Sequence, residues 1–85
     1  MSEADKIFED LGYRKKEVDY LIIYTKHFNK KERNELNAVV IGFDKLKKQV
    51  YGFSYYNGID YGLTVDIPMQ ELKAINKKCE ELGWL

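Results

Sequence analysis

An amphipathic helix that ends at a glycine is predicted at each end of the chain, and this pair limits the folds open to the residues between. The first helix runs from about Ser2 to Leu11, where apolar residues recur at helical spacing. The second runs from about Ile67 to Leu82, with an apolar stripe on one face and charged residues on the other. Gly12 and Gly83 follow directly, and glycine readily adopts the left-handed conformation that ends many helices.

The residues that follow the two glycines are predicted to close the helices. In a Schellman cap, the residue after the glycine folds back onto the last turn of the helix. This geometry pairs Tyr13 with Phe8 and Trp84 with Cys79. We therefore expect Trp84 to have a structural role and Cys79 to lie in the core.

The residues between the helices have the composition of β-strands. Three segments rich in β-branched and aromatic residues are predicted as strands, at Tyr20 to Thr25, Asn37 to Phe43 and Gln49 to Tyr56. A short polar link makes the last two a hairpin, and Ile59 to Val65 is a candidate fourth strand. The predicted fold is one α+β domain over residues 1–85, in the order α-β-β-β-(β)-α. It has two layers, an antiparallel meander sheet with both helices packed on one face.

Size, charge and hydropathy narrow the classes of function. The chain has 85 residues, enough for one domain, and its 14 basic and 14 acidic side chains cancel. This balance argues against general attraction to nucleic acid or to an anionic membrane. No apolar run approaches the roughly 18 residues of a membrane span. The acidic N-terminus is unlike a signal peptide, and the single cysteine suits a reducing compartment, so we expect a cytoplasmic protein with no membrane partner.

The chain is poor in residues that carry out chemistry. His27 is the single histidine and Cys79 the single cysteine, which is short of the usual four ligands of a zinc site. No glycine-rich phosphate loop is present. We therefore expect neither an enzyme nor a protein that binds a metal or another cofactor.

Two short helices cover only one face of a sheet, so the other face is expected to be open. Strand alternation places Leu21 and Ile23 on one face and Tyr20, Ile22 and Tyr24 on the other. Because Leu21 and Ile23 are purely aliphatic, they are assigned to the helix-covered side. Tyr20, Ile22 and Tyr24 are then the candidate partner-binding residues. The first hypothesis is a protein that binds a protein partner or itself through this tyrosine-rich face or an exposed strand edge.

Basic clusters support an alternative hypothesis, a nucleic-acid-binding module that uses basic loops and exposed aromatic side chains. In a meander, the cluster Arg14-Lys15-Lys16 before the first predicted strand is expected at one end of the sheet. The lysines between the second and third predicted strands, Lys45, Lys47 and Lys48, are expected at the same end. Solvated loop lysines are the simpler interpretation of these residues. The candidate anion-binding residues are Arg14, Lys15, Lys16, Lys30, Lys31, Arg33, Lys45, Lys47 and Lys48.

The two ends of the chain, Glu3 to Tyr13 and Ile67 to Trp84, resemble a group of small uncharacterised proteins. Phages, prophages and other mobile elements of Gram-positive bacteria carry this group. Its members are similar in length and have such a helix at each end with strands between. The resemblance implies a mobile-element origin, and it carries over no catalytic or binding residue.

Overall fold

The protein, seen in a computed structural model, has a helix at each end of the chain and a five-stranded sheet between them. The structure describes residues 2–28, 36–56, 63–64 and 69–85. The helices are α1 (Glu3–Asp10) and α2 (Met69–Glu81). The strands are β1 (Arg14–Val18), β2 (Leu21–His27), β3 (Leu36–Asp44), β4 (Gln49–Tyr56) and β5 (Leu63–Thr64).

The strands form an antiparallel meander in the order β1-β2-β3-β4-β5, which confirms the predicted fold class. Part of the candidate fourth strand is present as β5, and the rest of it lies outside the described residues. Strand β1 was not predicted, because its sequence Arg-Lys-Lys-Glu-Val is almost wholly charged. All five of its residues are exposed. Charged side chains are common on edge strands, where they hinder pairing with other chains.

The predicted helix caps are confirmed. The backbone N–H of Tyr13 donates to the carbonyl of Phe8 at 2.9 Å, and that of Trp84 donates to the carbonyl of Cys79 at 2.9 Å. Both glycines have positive φ, at 98° and 77°. Each is therefore the left-handed residue of a Schellman motif.

The core lies between the two helices and one face of the sheet. Phe8 of α1 stacks on Tyr24 of β2, with ring centroids 3.9 Å apart, and Phe43 of β3 meets both rings edge-on. The rest of the cluster comes from α2, from this one face of the sheet and from Tyr13, which lies between α1 and β1. Its buried members are Phe8, Tyr13, Ile22, Tyr24, Val39, Ile41, Phe43, Ala74, Ile75 and Cys79. Both helices therefore cover the same face, and Cys79 lies in the core as expected.

The predicted assignment of the sheet faces is wrong. Ile22 and Tyr24 are 3% and 1% exposed and point towards the helices, so Leu21 and Ile23 lie on the other face. Tyr24 can be buried because its hydroxyl donates a hydrogen bond to Asp5 of α1. Tyr20 lies in the turn between β1 and β2 and is 44% exposed. Ile22 and Tyr24 are therefore unavailable to a partner.

Candidate interaction surface

The face of the sheet that the helices leave uncovered is called the open face below. Three rows that cross it contain one residue from each of strands β1 to β4, and a shorter fourth row, His27-Ala38-Tyr55, contains residues of β2 to β4 only. Alternate residues of a strand lie on the same face, so the rows are two residues apart. The three rows are Val18-Leu21-Asp44-Gln49, Lys16-Ile23-Gly42-Tyr51 and Arg14-Thr25-Val40-Phe53.

The ring of Tyr51 lies across Gly42 in the middle of the open face. A Cβ atom at Gly42 would overlap the ring atoms Cζ and Cε2 and the hydroxyl oxygen Oη of Tyr51, so the ring fits because the neighbouring strand has no side chain there. Phe53 stands beside Tyr51 with its ring centroid 5.5 Å away, and it is 38% exposed. With Ile23 and Val40, these rings make the centre of the open face apolar and aromatic.

Gly42→Ala is expected to displace the Tyr51 ring and to lower the free energy of unfolding by about 1–3 kcal/mol, the usual range for overpacking. Urea denaturation followed by circular dichroism measures this loss. In a Tyr51→Ala background the same Gly42→Ala change should be nearly neutral, because the ring that it overlaps is absent. Equal losses of unfolding free energy in the two backgrounds would show that the Tyr51 ring does not lie against residue 42.

Two cations, Arg14 and Lys16, border the open face on β1. Both are exposed, and neither forms an ion pair with another residue of the described ranges. The three rows contain one carboxylate, that of Asp44. Its Oδ1 accepts hydrogen bonds from the backbone N–H groups of Leu46 and Lys47, at 3.0 Å each, so it is engaged in the β3–β4 turn. The open face thus has an apolar centre and a cationic edge.

The structure does not bring the Arg14-Lys15-Lys16 cluster to the end of the sheet where the lysines of the β3–β4 turn lie, so this prediction is wrong. Because β1 is a strand antiparallel to β2, the residues after it, not those before it, lie beside the β3–β4 turn. Lys45 N–H accordingly donates to the carbonyl of Tyr20 at 2.9 Å, whereas Arg14 pairs with Thr25 further along the sheet.

The other candidate anion-binding residues have different locations. Lys15 points to the helix side, where its Nζ lies 2.9 Å from Oδ2 of Asp5. The turn lysines are exposed: Lys45, Lys47 and Lys48. The remaining three lie outside the described residues: Lys30, Lys31 and Arg33.

On the helix side, a cluster of charged groups around Asp5 joins both helices to β1 and β2, and it is called the Asp5 cluster below. Oδ1 of Asp5 accepts hydrogen bonds from the Tyr24 hydroxyl and from Nζ of Lys78, the latter at 3.2 Å. The Lys78 side chain is 8% exposed, and its Nζ lies 3.7 Å from Oε1 of Glu81. Oε2 of Glu81 in turn accepts the backbone N–H of Ala4 at 2.9 Å.

These hydrogen bonds decide the protonation states in the Asp5 cluster. Burial acts to raise the pKa of Asp5, but the hydrogen bonds from Tyr24, Lys15 and Lys78 outweigh it and hold that pKa well below its usual range. Burial, together with the hydrogen bond to Asp5, raises the pKa of the Tyr24 hydroxyl. Asp5 therefore stays ionised and Tyr24 neutral around pH 7.

A cleft of about 520 Å³ lies beside the Asp5 cluster, between α1 and β1. Its lining includes Asp5, Tyr13, Arg14 and Tyr24. A general acid or base works best with a pKa near the operating pH, and the Asp5 and Tyr24 pKa values are moved away from neutrality. We therefore interpret the Asp5 cluster as a structural link between the layers.

Within residues 2–28, 36–56, 63–64 and 69–85, no three or more His, Cys, Asp and Glu side chains are grouped so as to hold a metal ion. Neither helix of those ranges has the length and apolar character to cross a membrane. Comparison with protein-family models, curated proteins and solved structures finds no match.

Proposed function

We propose that this chain is a non-enzymatic protein-interaction domain of a phage or mobile element and that it binds its partner through the open face. One observation carries the proposal: Tyr51 and Phe53 stand on a face that neither helix covers, beside Ile23 and Val40. Aromatic and apolar side chains are enriched at the centres of protein interfaces. The resemblance of the two chain ends supports the mobile-element origin.

The open face also specifies the chemistry of its partner. The partner surface has an apolar centre, and it presents carboxylates or aromatic rings to the cations Arg14 and Lys16. Strand addition at the β1 edge is a weaker alternative, because the charged side chains of β1 hinder pairing with another strand.

Nucleic acid is the competing class of partner, since exposed aromatic rings and cations also suit single strands. Two features favour a protein. Ile23 and Val40 give the centre of the face an aliphatic character that offers nothing to phosphates or base edges. The net charge of zero provides no general attraction for a polyanion.

The test compares a face variant with a matched variant off the face, each used as bait in a bacterial lysate. The face variant is Ile23→Ser with Phe53→Ser, and the control is Tyr20→Ser, which removes an exposed aromatic ring from the β1–β2 turn. A protein partner, or an untagged copy of the chain, should be retained by the wild type and by the control but lost by the face variant.

Nuclease treatment and salt separate the two classes of partner. Retention that survives nuclease and depends on Ile23 and Phe53 supports the proposal. Retention that nuclease abolishes, and that falls steeply with salt, would assign the face to nucleic acid instead. Retention unaffected by the face variant would overturn the role of the open face.

A further inference from the structure

We infer that the partner of the open face is a second copy of this chain, packed sheet to sheet. The two copies are related by a two-fold axis that lies in the plane between the two sheets, parallel to the strands and midway between β2 and β3. The inference rests on the proposed function and names the occupant of the same surface. It follows from the arrangement of residues in the rows, which makes the open face complementary to itself.

Rotation about this axis exchanges β1 with β4 and β2 with β3. It leaves each residue at the same height along the strands, so every row lies opposite the same row in reverse order. In the row through the middle of the face, Lys16 of one copy then lies opposite Tyr51 of the other, and Ile23 lies opposite Gly42. Because the Tyr51 ring lies across Gly42, Ile23 packs on that ring.

The next row repeats the pattern. Arg14 of one copy lies opposite Phe53 of the other, and Thr25 lies opposite Val40. A cation held over an aromatic face within about 6 Å is attracted by the ring quadrupole. The two-fold axis produces every contact twice, so these two rows give the dimer cation–π pairs along both edges, with Ile23, Thr25 and Val40 between them. In the third row, Val18 lies opposite Gln49 and Leu21 lies opposite Asp44.

Alternative arrangements of two copies bring like charges together. A two-fold axis in the plane of the face but across the strands places β1 against β1, so that the cations Arg14 and Lys16 of both copies lie along the same edge of the dimer. Antiparallel pairing of two β1 edges, centred on Lys16, places that residue beside its own copy. Both arrangements are opposed by charge repulsion, whereas the axis along the strands places each cation on a ring.

The size of the face predicts a modest affinity. Strands β1 to β4 span about 14 Å at roughly 4.8 Å per strand, so the projected contact is a few hundred Å². A standard protein interface buries roughly 800 Å² on each partner. We therefore expect a reversible dimer with a Kd in the micromolar range.

Sedimentation of the purified chain tests this inference. The weight-average mass should rise towards that of a dimer between about 5 and about 500 µM, a range that brackets a micromolar Kd. Lys16→Glu should weaken the dimer at least about tenfold, because it places an anion on the negative face of the Tyr51 ring. Lys48→Glu makes the same charge change in the β3–β4 turn, off the face, and should leave the Kd unchanged.

A mixing experiment tests the axis itself. Lys16→Glu and Tyr51→Lys should each self-associate poorly, the second because two ammonium groups meet at that contact. A mixture of the two variants should form a heterodimer, in which the introduced carboxylate faces the introduced ammonium and the other symmetry-related contact remains native. Only an arrangement that places residue 16 of one copy against residue 51 of the other predicts this rescue.

The outcomes separate the inference from the proposed function. A wild type that stays monomeric over the whole range, yet still retains a lysate partner through Ile23 and Phe53, overturns the dimer and leaves the proposed function standing. A wild type that neither forms a dimer nor retains a lysate partner through Ile23 and Phe53 overturns both the inference and the proposed function. A dimer that tolerates Lys16→Glu but is disrupted by Leu72→Ser on α2 uses another surface and overturns the inference.

Discussion

Phe8→Ala is expected to lower the free energy of unfolding by about 3–5 kcal/mol, the range for truncating a buried phenylalanine. The Phe8 side chain is fully buried between the helices and the sheet. It stacks on Tyr24 and meets the rings of Tyr13 and Phe43 edge-on, with centroids at 5.5 and 6.2 Å. Its loss leaves a cavity where the two layers meet. Domains are stabilised by about 0.05–0.15 kcal/mol per residue, which is about 4–13 kcal/mol for 85 residues, so the expected loss is a large fraction of the total stability.

Urea denaturation followed by far-ultraviolet circular dichroism measures this loss. Phe53→Ala is the matched control, because it makes the same truncation on the open face at a residue that is 38% exposed. Partial exposure leaves a smaller cavity, so we expect the control to lose about 1 kcal/mol. Similar losses for the two variants would mean that Phe8 is not the centre of the core.

Asp5→Ala is expected to lower the free energy of unfolding by about 3 kcal/mol. The change removes the nearest carboxylate from Lys78, whose side chain is 8% exposed, and it leaves the buried Tyr24 hydroxyl without its acceptor. Removing one partner of a buried ion pair typically costs about 3–5 kcal/mol, because the remaining charge is desolvated without compensation. Glu81 remains 3.7 Å from the Lys78 Nζ and keeps the expected loss at the lower end of this range.

Two further variants test this explanation. Lys15→Ala removes a more exposed partner of Asp5 and should lower stability by less than about 1 kcal/mol. Lys78→Met in the Asp5→Ala background should recover part of the stability, since no uncompensated ammonium then stays buried. A double variant less stable than Asp5→Ala alone would show that Lys78 is stabilised by other groups.

The Asp5 cluster also predicts a response to acid. The pKa of Asp5 is lower in the folded chain than in the unfolded one, so the unfolded chain binds the proton more readily. The stabilisation from Asp5 is therefore complete above the unfolded pKa of about 3.9 and is lost as the pH falls from there towards the folded value. The acid-induced loss of stability should be shallower in Asp5→Ala than in the wild type.

Local features of the sequence determined the elements of this fold. The apolar stripes and the glycine that follows each of them predicted both helices and their caps, because a Schellman motif depends on contacts within six residues. The β-branched and aromatic runs predicted strands β2, β3 and β4, and the order of the elements indicated the α+β class. These predictions held because propensity and capping act over short distances along the chain.

Tertiary structure alone decided which face of the sheet is covered. Alternation specifies which residues of a strand share a face, but it is the same whichever face the helices take. The choice follows from contacts between distant residues: Tyr24 is buried because Asp5 of α1 accepts its hydroxyl and Phe8 stacks on its ring. Strand β1 was not predicted, for a related reason. Its charged sequence forms a strand because β2 offers a free edge, and a pairing partner is not a property of five residues read by themselves.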